Sequence, residues 1–290
     1  MNATITRAAS LEELSRFLSE LNQQKQSHIG YCGERKEEIY EALKKDFIDE
    51  NGELNFLVAR NDIGEIIAGI GVDAYETSGE VWGPFSKSNS VELQYRLWER
   101  LVKENPNIQS YYFFINEENK VQQSFMVEIN ATKTGKHLTL KIKRQNFQLV
   151  SEIKSSLYIQ SEYQAFAQLH HETFPNTYYN AETIIERLGD QCVLMVLKNE
   201  ENEMLGYAYF EVDCDEASLE YIAIAPNAQN QGLGTRLLQE VLTEIFSYPQ
   251  LNEIRLCVDY TKKQANHVYM KAGFQPENIL ISYCLEQKSV

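Results

Sequence analysis

The apolar residues divide the chain into short segments whose period changes many times. Leu11, Leu14, Phe17, Leu18 and Leu21, then Ile39, Leu43 and Phe47, recur at three- and four-residue spacing. That spacing puts them on single helix faces and predicts helices over 11–21 and 34–47. Apolar runs over 56–60 and 65–72 flank the turn residues Asn61-Asp-Ile-Gly64 and predict two strands, with a third over 80–85. A helix over 91–103, a strand over 110–115 and an alternating strand over 137–143 follow.

The same order then begins again. Helices are predicted over 163–173 and 181–188, the second ended by Gly189 as a cap. Strands over 192–198 and 204–212 flank the polar turn 199–203, and a third runs over 219–225. A helix over 235–246 carries Leu237, Leu238, Val241, Leu242, Ile245 and Phe246 on one face. A strand over 253–258, a short helix over 265–271 and a strand over 279–285 complete the chain. Repetition at half the chain length predicts two α/β (α+β) domains in tandem, 1–148 and 149–290, joined around 145–155. Each is a mixed, largely antiparallel sheet flanked by helices. A single mixed sheet spanning both halves fits the same pattern.

Composition narrows the class. The 290 residues are 43% hydrophobic, enough for ordinary packed cores, and no apolar run approaches the roughly 18 residues of a membrane span. The opening Met-Asn-Ala-Thr-Ile-Thr-Arg has no charged-then-apolar signal pattern, so a cytoplasmic location is expected. The five cysteines are odd in number and lack the close spacing of a zinc site, and the adjacent His170 and His171 point different ways on a helix. No metal is expected. The net charge of −15 argues against nucleic acid as a partner. Residues 1–150 carry a net of −4 and residues 151–290 a net of −11, a field that suits amine substrates or simply keeps the protein in solution.

The chemistry concentrates where the strand ending at Ala225 meets the helix that follows. Gln229-x-x-Gly232-x-Gly234 sits between them. A strand, a glycine loop and a helix start together aim bare backbone N–H groups at a phosphate. A second motif, Asn266-His-Val-Tyr269-Met-Lys-Ala-Gly273-Phe274, follows after one helix and one strand. Loop and motif together resemble the GNAT-type N-acetyltransferases, whose acetyl-CoA loop reads Gln/Arg-x-x-Gly-x-Gly/Ala and whose later signature reads Leu-Tyr-x-Lys-x-Gly-Phe; Val268 stands at the Leu position.

The resemblance implies roles for individual residues. Ile222, Ala223 and Ile224 would offer backbone groups to the pantetheine arm of acetyl-CoA, and Asn230, Gln231, Gly232, Leu233, Gly234 and Thr235 would cradle its pyrophosphate. Gln229 opens the motif where many relatives have Arg, and Arg236 is placed to compensate. Tyr269 matches the tyrosine that protonates the leaving thiolate. Lys262 stands where many relatives carry a cofactor-touching Asn, and reads as a contact to a CoA phosphate or as a solvated residue. Glu220 is the candidate base, placed by strand alternation on the face of Ile222 and Ile224. The acidic run Glu211, Asp213, Asp215 and Glu216 reads as a solvated turn or as an amine-recognising loop, and Tyr178 and Tyr179 as an acceptor wall or as packing.

The first half lacks these features. Its loop reads Gly83-Pro-Phe-Ser-Lys-Ser-Asn-Ser-Val91, and Met126 and Asn130 stand where the second half has Tyr269 and Gly273. The expectation is a degenerate, non-catalytic first domain beside a catalytic second one that moves an acetyl group to a small-molecule or peptide amine. No Gly-x-Ser-x-Gly and no Cys beside a His provides for a covalent acyl-enzyme. A non-enzymatic CoA sensor and a transferase using another acyl-CoA remain as alternatives. Acceptor identity and oligomeric state are left open.

Overall fold

The computed structural model describes residues 3–49, 52–88, 91–214 and 216–287. The chain divides into two compact units, Met1–His137 with Asn278–Val290, and Leu138–Glu277.

The first unit begins with β1 (Thr4–Arg7), α1 (Leu11–Asn22) and α2 (Lys36–Asp46). Ser10 starts α1 by accepting the Glu13 N–H at 3.2 Å. Strands β2 (Phe56–Arg60), β3 (Ile66–Tyr75) and β4 (Ser78–Ser86) continue the antiparallel order from β1. Helix α3 (Val91–Glu104) then crosses over to β5 (Ser110–Asn116), which runs parallel to β4 as such a crossover requires. After α4 (Lys120–Glu128), strand β6 (Thr132–Lys143) leads out of this unit. Apolar side chains bury on both faces of the sheet. Leu97, Trp98 and Leu101 of α3 pack with Ile70 and Val72, while Leu14, Phe17 and Leu18 of α1 pack with Phe56 and Val58.

The second unit repeats the order: β7 (Ser156–Leu157), α5 (Tyr163–Thr173), α6 (Ala181–Arg187), β8 (Cys192–Lys198), β9 (Met204–Asp213), β10 (Glu216–Ile224), α7 (Leu233–Ile245), β11 (Glu253–Asp259), α8 (Lys263–Ala272) and β12 (Gln275–Glu286). From Asn278 onward, β12 counts with the first unit, where residues 280–286 pair antiparallel with β5. The four strands β10-β9-β8-β7 form one sheet, with β10 at its edge. β11 is an edge strand too, but of another sheet. The outer edge of β10 therefore carries main-chain groups with no strand partner, and this shapes the site below.

The two copies share local devices as well as order. In the β2–β3 turn the Asn61 amide accepts the Glu65 N–H at 2.9 Å and donates to its carboxylate at 3.1 Å. In the β8–β9 turn Asn199 does the same with Glu203, at 2.8 and 2.9 Å. Three elements, β1, β7 and α4, carry no prediction from the apolar pattern. The strands are too short to show a period, and α4 buries the polar Gln122 beside Phe125 and Met126. Gly189 does not cap α6. The chain leaves the helix at Leu188, whose backbone is already extended, and Gly189 instead donates to the Cys192 carbonyl at 3.1 Å.

Candidate active site

A cleft of about 870 Å³ opens in the second unit beside the edge of β10. It is lined by Ile222, Ala223 and Ile224, by the loop leading into α7, by the end of β11 and by α8. The loop is built from left-handed backbone: Asn230 has φ 60° and Gly232 has φ 79°. A Cβ on Gly232 would meet no protein atom within 4 Å, so glycine is required there by the backbone angle and not by crowding within the protein. A Cβ on Gly234 would meet Ile224 at an ordinary contact distance of 3.5 Å. Gly232 is the N-cap of α7 and has no side chain to cap it, which leaves the first N–H groups of the helix facing the loop. Asn230, Gly232, Gly234 and Thr235 line the cleft.

Four residues of the expected cofactor set have partners within the protein or lie outside the lining. Gln229 lines the cleft, but its amide donates back to the Ile224 carbonyl at 3.0 Å and holds the loop onto its own strand. Gln231 donates to the Asn227 carbonyl at 3.3 Å, and like Leu233 it is not among the lining residues. Arg236 also lies outside the lining; it pairs with the fully buried Glu240 at 3.0 Å.

Tyr269 reaches the cleft from α8 through a definable end motif. The Gly273 N–H donates to the Met270 carbonyl at 3.1 Å and the Phe274 N–H to the Tyr269 carbonyl at 3.2 Å, with Gly273 at φ 113°. These are the paired bonds of a Schellman cap, whose apolar contact falls here between Phe274 and Tyr269, edge to face at 5.9 Å. The Tyr-x-x-x-Gly-Phe spacing is thus the spacing of a helix end that locks the tyrosine ring. Tyr269 is half-buried, and burial raises its phenol above the ordinary value, so it is protonated at neutral pH.

Glu220 lines the cleft near Leu219, Thr173 and Phe174. It shares that lining with Ile222 and Ile224. The pairing of β10 with β9 slips between Leu219 and Tyr221, leaving Glu220 as the extra residue of a bulge, and bulges re-aim side chains. The Tyr178 hydroxyl donates to the Glu220 carboxylate, and burial together with that acceptor raises the Tyr178 phenol. The Tyr178 and Tyr179 rings lie 4.4 Å apart with their planes tilted by 57°. Of the acidic run, Glu211 is engaged by Arg187 at 2.7 Å and by the Tyr209 hydroxyl at 2.6 Å, Asp213 is exposed, and Asp215 lies outside the described residues. His170 is a core residue: it is buried and bonded to Tyr207 at 2.5 Å and to the Tyr179 carbonyl at 2.9 Å, and burial lowers its pKa.

Sequence reasoning missed the far wall. Cys257 and Val258 of β11 and His267, Lys263 and Lys271 of α8 line the cleft. The signal available for them was the helical spacing 263, 267 and 271, which places three polar residues on one face. Burial pushes the Cys257 thiol up to about 11, so it is not a thiolate at neutral pH. Among the described residues no group of three or more His, Cys, Asp or Glu is placed to hold a metal, and no helix is long and apolar enough to cross a membrane.

In the first unit, Ser86, Gln94, Asn119 and Gln122 among others line a cavity of about 50 Å³. Gln122 crosses it to the Pro84 carbonyl at 2.8 Å. Asn89 and Ser90 of the substituted loop lie outside the described residues. Helix α4 ends with the same two bonds as α8: the Asn130 N–H to the Val127 carbonyl at 3.1 Å, and the Ala131 N–H to the Met126 carbonyl at 2.9 Å, with Asn130 at φ 57°. The backbone of the motif is kept while the phenol is replaced by a fully buried methionine.

Residues 158–274 match the acetyltransferase (GNAT) family model. Over the whole chain, the fold is similar to that of a GCN5-related N-acetyltransferase from Sphaerobacter thermophilus, with a TM-score of 0.70 at 12% identity over 98% of this chain and 95% of that one. A tandem GNAT protein from the clavulanic acid biosynthesis pathway matches with a TM-score of 0.63 at 9% identity, covering 100% of both chains. A GNAT-family acetyltransferase from Colwellia psychrerythraea gives 0.52 at 12% identity, over 98% and 100%. The fold and the cleft define an acyltransferase that draws its acyl group from an acyl-CoA. Residues 158–274 form a GNAT-family domain, and the whole chain has the fold of a tandem GNAT protein.

Proposed function

We propose that the second unit transfers an acetyl group from acetyl-CoA to a primary amine by direct attack in a ternary complex, and that the first unit does not catalyse. The observation that carries this reading is the placement of a protonated phenol, Tyr269, in the same cleft as the glycine loop and the free edge of β10. Acetyl-CoA supplies the activated thioester. The residues of this chain do the rest. Ile222, Ala223 and Ile224 pair along the amide-rich arm as a further strand would, and Gly232, Gly234 and Thr235 present N–H groups to the pyrophosphate. Tyr269 donates its proton to the departing thiolate, and Glu220 takes the proton that an ammonium must lose before it attacks. In the first unit, the buried Met126 stands where the second has Tyr269, so no phenol is there to protonate a thiolate.

Calorimetric titration of the whole chain with acetyl-CoA tests this. One site per chain is expected. Gly232→Asp, which forces a side chain into left-handed backbone at a strain of about 1–2 kcal/mol and sets a carboxylate against phosphate, weakens it at least about tenfold. Two sites would overturn the reading of the first unit. No binding would overturn the proposal as a whole. A longer acyl-CoA that turns over faster than acetyl-CoA would replace the donor named here.

Glu220→Gln gives a second expectation. With an amine that is mostly ammonium at neutral pH, kcat/KM falls about 10²-fold, in line with loss of a general base. The deficit narrows as pH rises and the amine deprotonates in solution. A deficit that is constant with pH removes Glu220 from that role.

A further inference from the structure

Residues 151–290 hold nine Lys and Arg against twenty Asp and Glu. Five of the nine cations have acidic partners: Lys154 with Glu152, Arg187 with Glu211, Lys198 with Glu162, Arg236 with Glu240, and Arg255 with Glu277. Lys288 lies outside the described residues. The other three, Lys262, Lys263 and Lys271, have no acidic partner among the described residues, and all three are exposed and line the cleft. In a segment with a large excess of carboxylates, three lysines paired with no carboxylate on one wall of one cleft, where the Asp259 carboxylate accepts from Thr261, are an arrangement for a polyanionic ligand.

The glycine loop itself brings no cation. Gln229 stands where an arginine would and is turned back to the Ile224 carbonyl, and Arg236 is committed to Glu240. The first turn of α8 is tied to the loop directly, through the Gln264 amide donating to the Asn230 side chain at 3.1 Å. Lys262 is the N-cap of that helix, and its side chain makes no capping bond. The starts of α7 and α8, both without a side-chain cap, therefore meet at one end of the cleft, and Lys262 and Lys263 stand there.

We infer that Lys262 and Lys263 supply the positive charge of the pyrophosphate site, in place of a loop arginine. This rests on the acyl-CoA reading of the cleft. It assigns the charged contact to a helix that follows the glycine loop by about 30 residues.

Calorimetric titration of the full chain with CoA and with dephospho-CoA, at low and high salt, tests the inference. The variants are Lys262→Gln/Lys263→Gln, Lys262→Arg/Lys263→Arg, and Lys154→Gln as a control in a pair away from the cleft. The Gln pair is expected to bind CoA about tenfold more weakly or worse, since charge-assisted bonds are lost, and to lose most of the salt dependence seen in the wild type. The Arg pair restores both, and the control is unchanged. The same loss with dephospho-CoA places the lysines on the pyrophosphate; a loss that vanishes with dephospho-CoA places them on the 3′-phosphate and overturns the assignment. Binding by the Gln pair within twofold of wild type, at both salts, overturns the inference while leaving the acyl-CoA reading standing. Failure of the wild-type chain to bind CoA removes both. An unfolding scan of each variant separates lost binding from lost structure.

Discussion

Tyr269→Phe is expected to lower kcat about 10²- to 10⁴-fold while leaving the dissociation constant of acetyl-CoA within about twofold, the range and pattern of a lost general acid. The ring stays packed on Phe274 and the two bonds that end α8 are backbone bonds, so the substitution removes one hydroxyl and little else. The pH profile adds a second readout. Burial raises the Tyr269 phenol, so its protonated form persists to higher pH than an exposed tyrosine's, and its proton is lost only as pH rises through that raised value. The alkaline limb that belongs to Tyr269 therefore lies above the ordinary tyrosine pKa of about 10, and the Phe variant lacks it. Equal losses in kcat and in acetyl-CoA affinity would instead make Tyr269 a binding residue.

Much of this was legible in the sequence. The repeated order of elements follows from apolar period, because each helix packs one face on a sheet and each strand alternates. The glycine loop is legible because left-handed backbone at Gly232 leaves little choice of residue. The Tyr269–Phe274 spacing is legible because it is a helix end, and the substituted Met126–Asn130 pair could be aligned to it since Asn also tolerates left-handed backbone. The exchange of the last strand was not legible: residues 280–286 alternate as any half-buried strand does, and nothing in a period names a partner.

The finer placement of side chains was hidden for a related reason. Spacing predicts which face a residue occupies, whereas its hydrogen bonds decide what it does there. Glu220 falls in a bulge of the β10–β9 pairing, which leaves no mark in composition. Gln229 and Arg236 sit at the positions where cofactor contacts are expected, yet each has a closer partner in the protein, a carbonyl five residues back and a carboxylate four residues on. Lys263 and Lys271 of α8 stand out because every cation of the segment outside the cleft, among the described residues, is matched with a carboxylate.

That carboxylate, Glu240, carries the largest expected effect on stability. It is fully buried on α7, the helix that begins at the glycine loop. It accepts the Ser155 N–H at 2.7 Å, the Ser155 hydroxyl at 2.5 Å and the Arg236 guanidinium at 3.0 Å. It therefore fastens the segment just before β7 to the first turns of α7. Burial alone would raise its carboxyl, but the Ser155 and Arg236 bonds outweigh burial and hold it below the usual range. Glu240→Ala leaves the Ser155 donors without an acceptor and Arg236 without its partner, at a cost of about 3 kcal/mol or more. For a unit of this size that is a fall of roughly 6–12 °C in unfolding temperature. The sign with pH follows from the lowered folded value. The stabilisation is fully present above the unfolded carboxyl's pKa of about 4.3 and is lost as pH falls through the folded one, so acid unfolding of the wild type is steeper than that of Glu240→Gln. Thermal scans of the three proteins at neutral pH and at about pH 4 decide it: the gap between wild type and Glu240→Gln narrows in acid if Glu240 is held ionised by Ser155 and Arg236, and a gap that does not change with pH means that its role is packing alone.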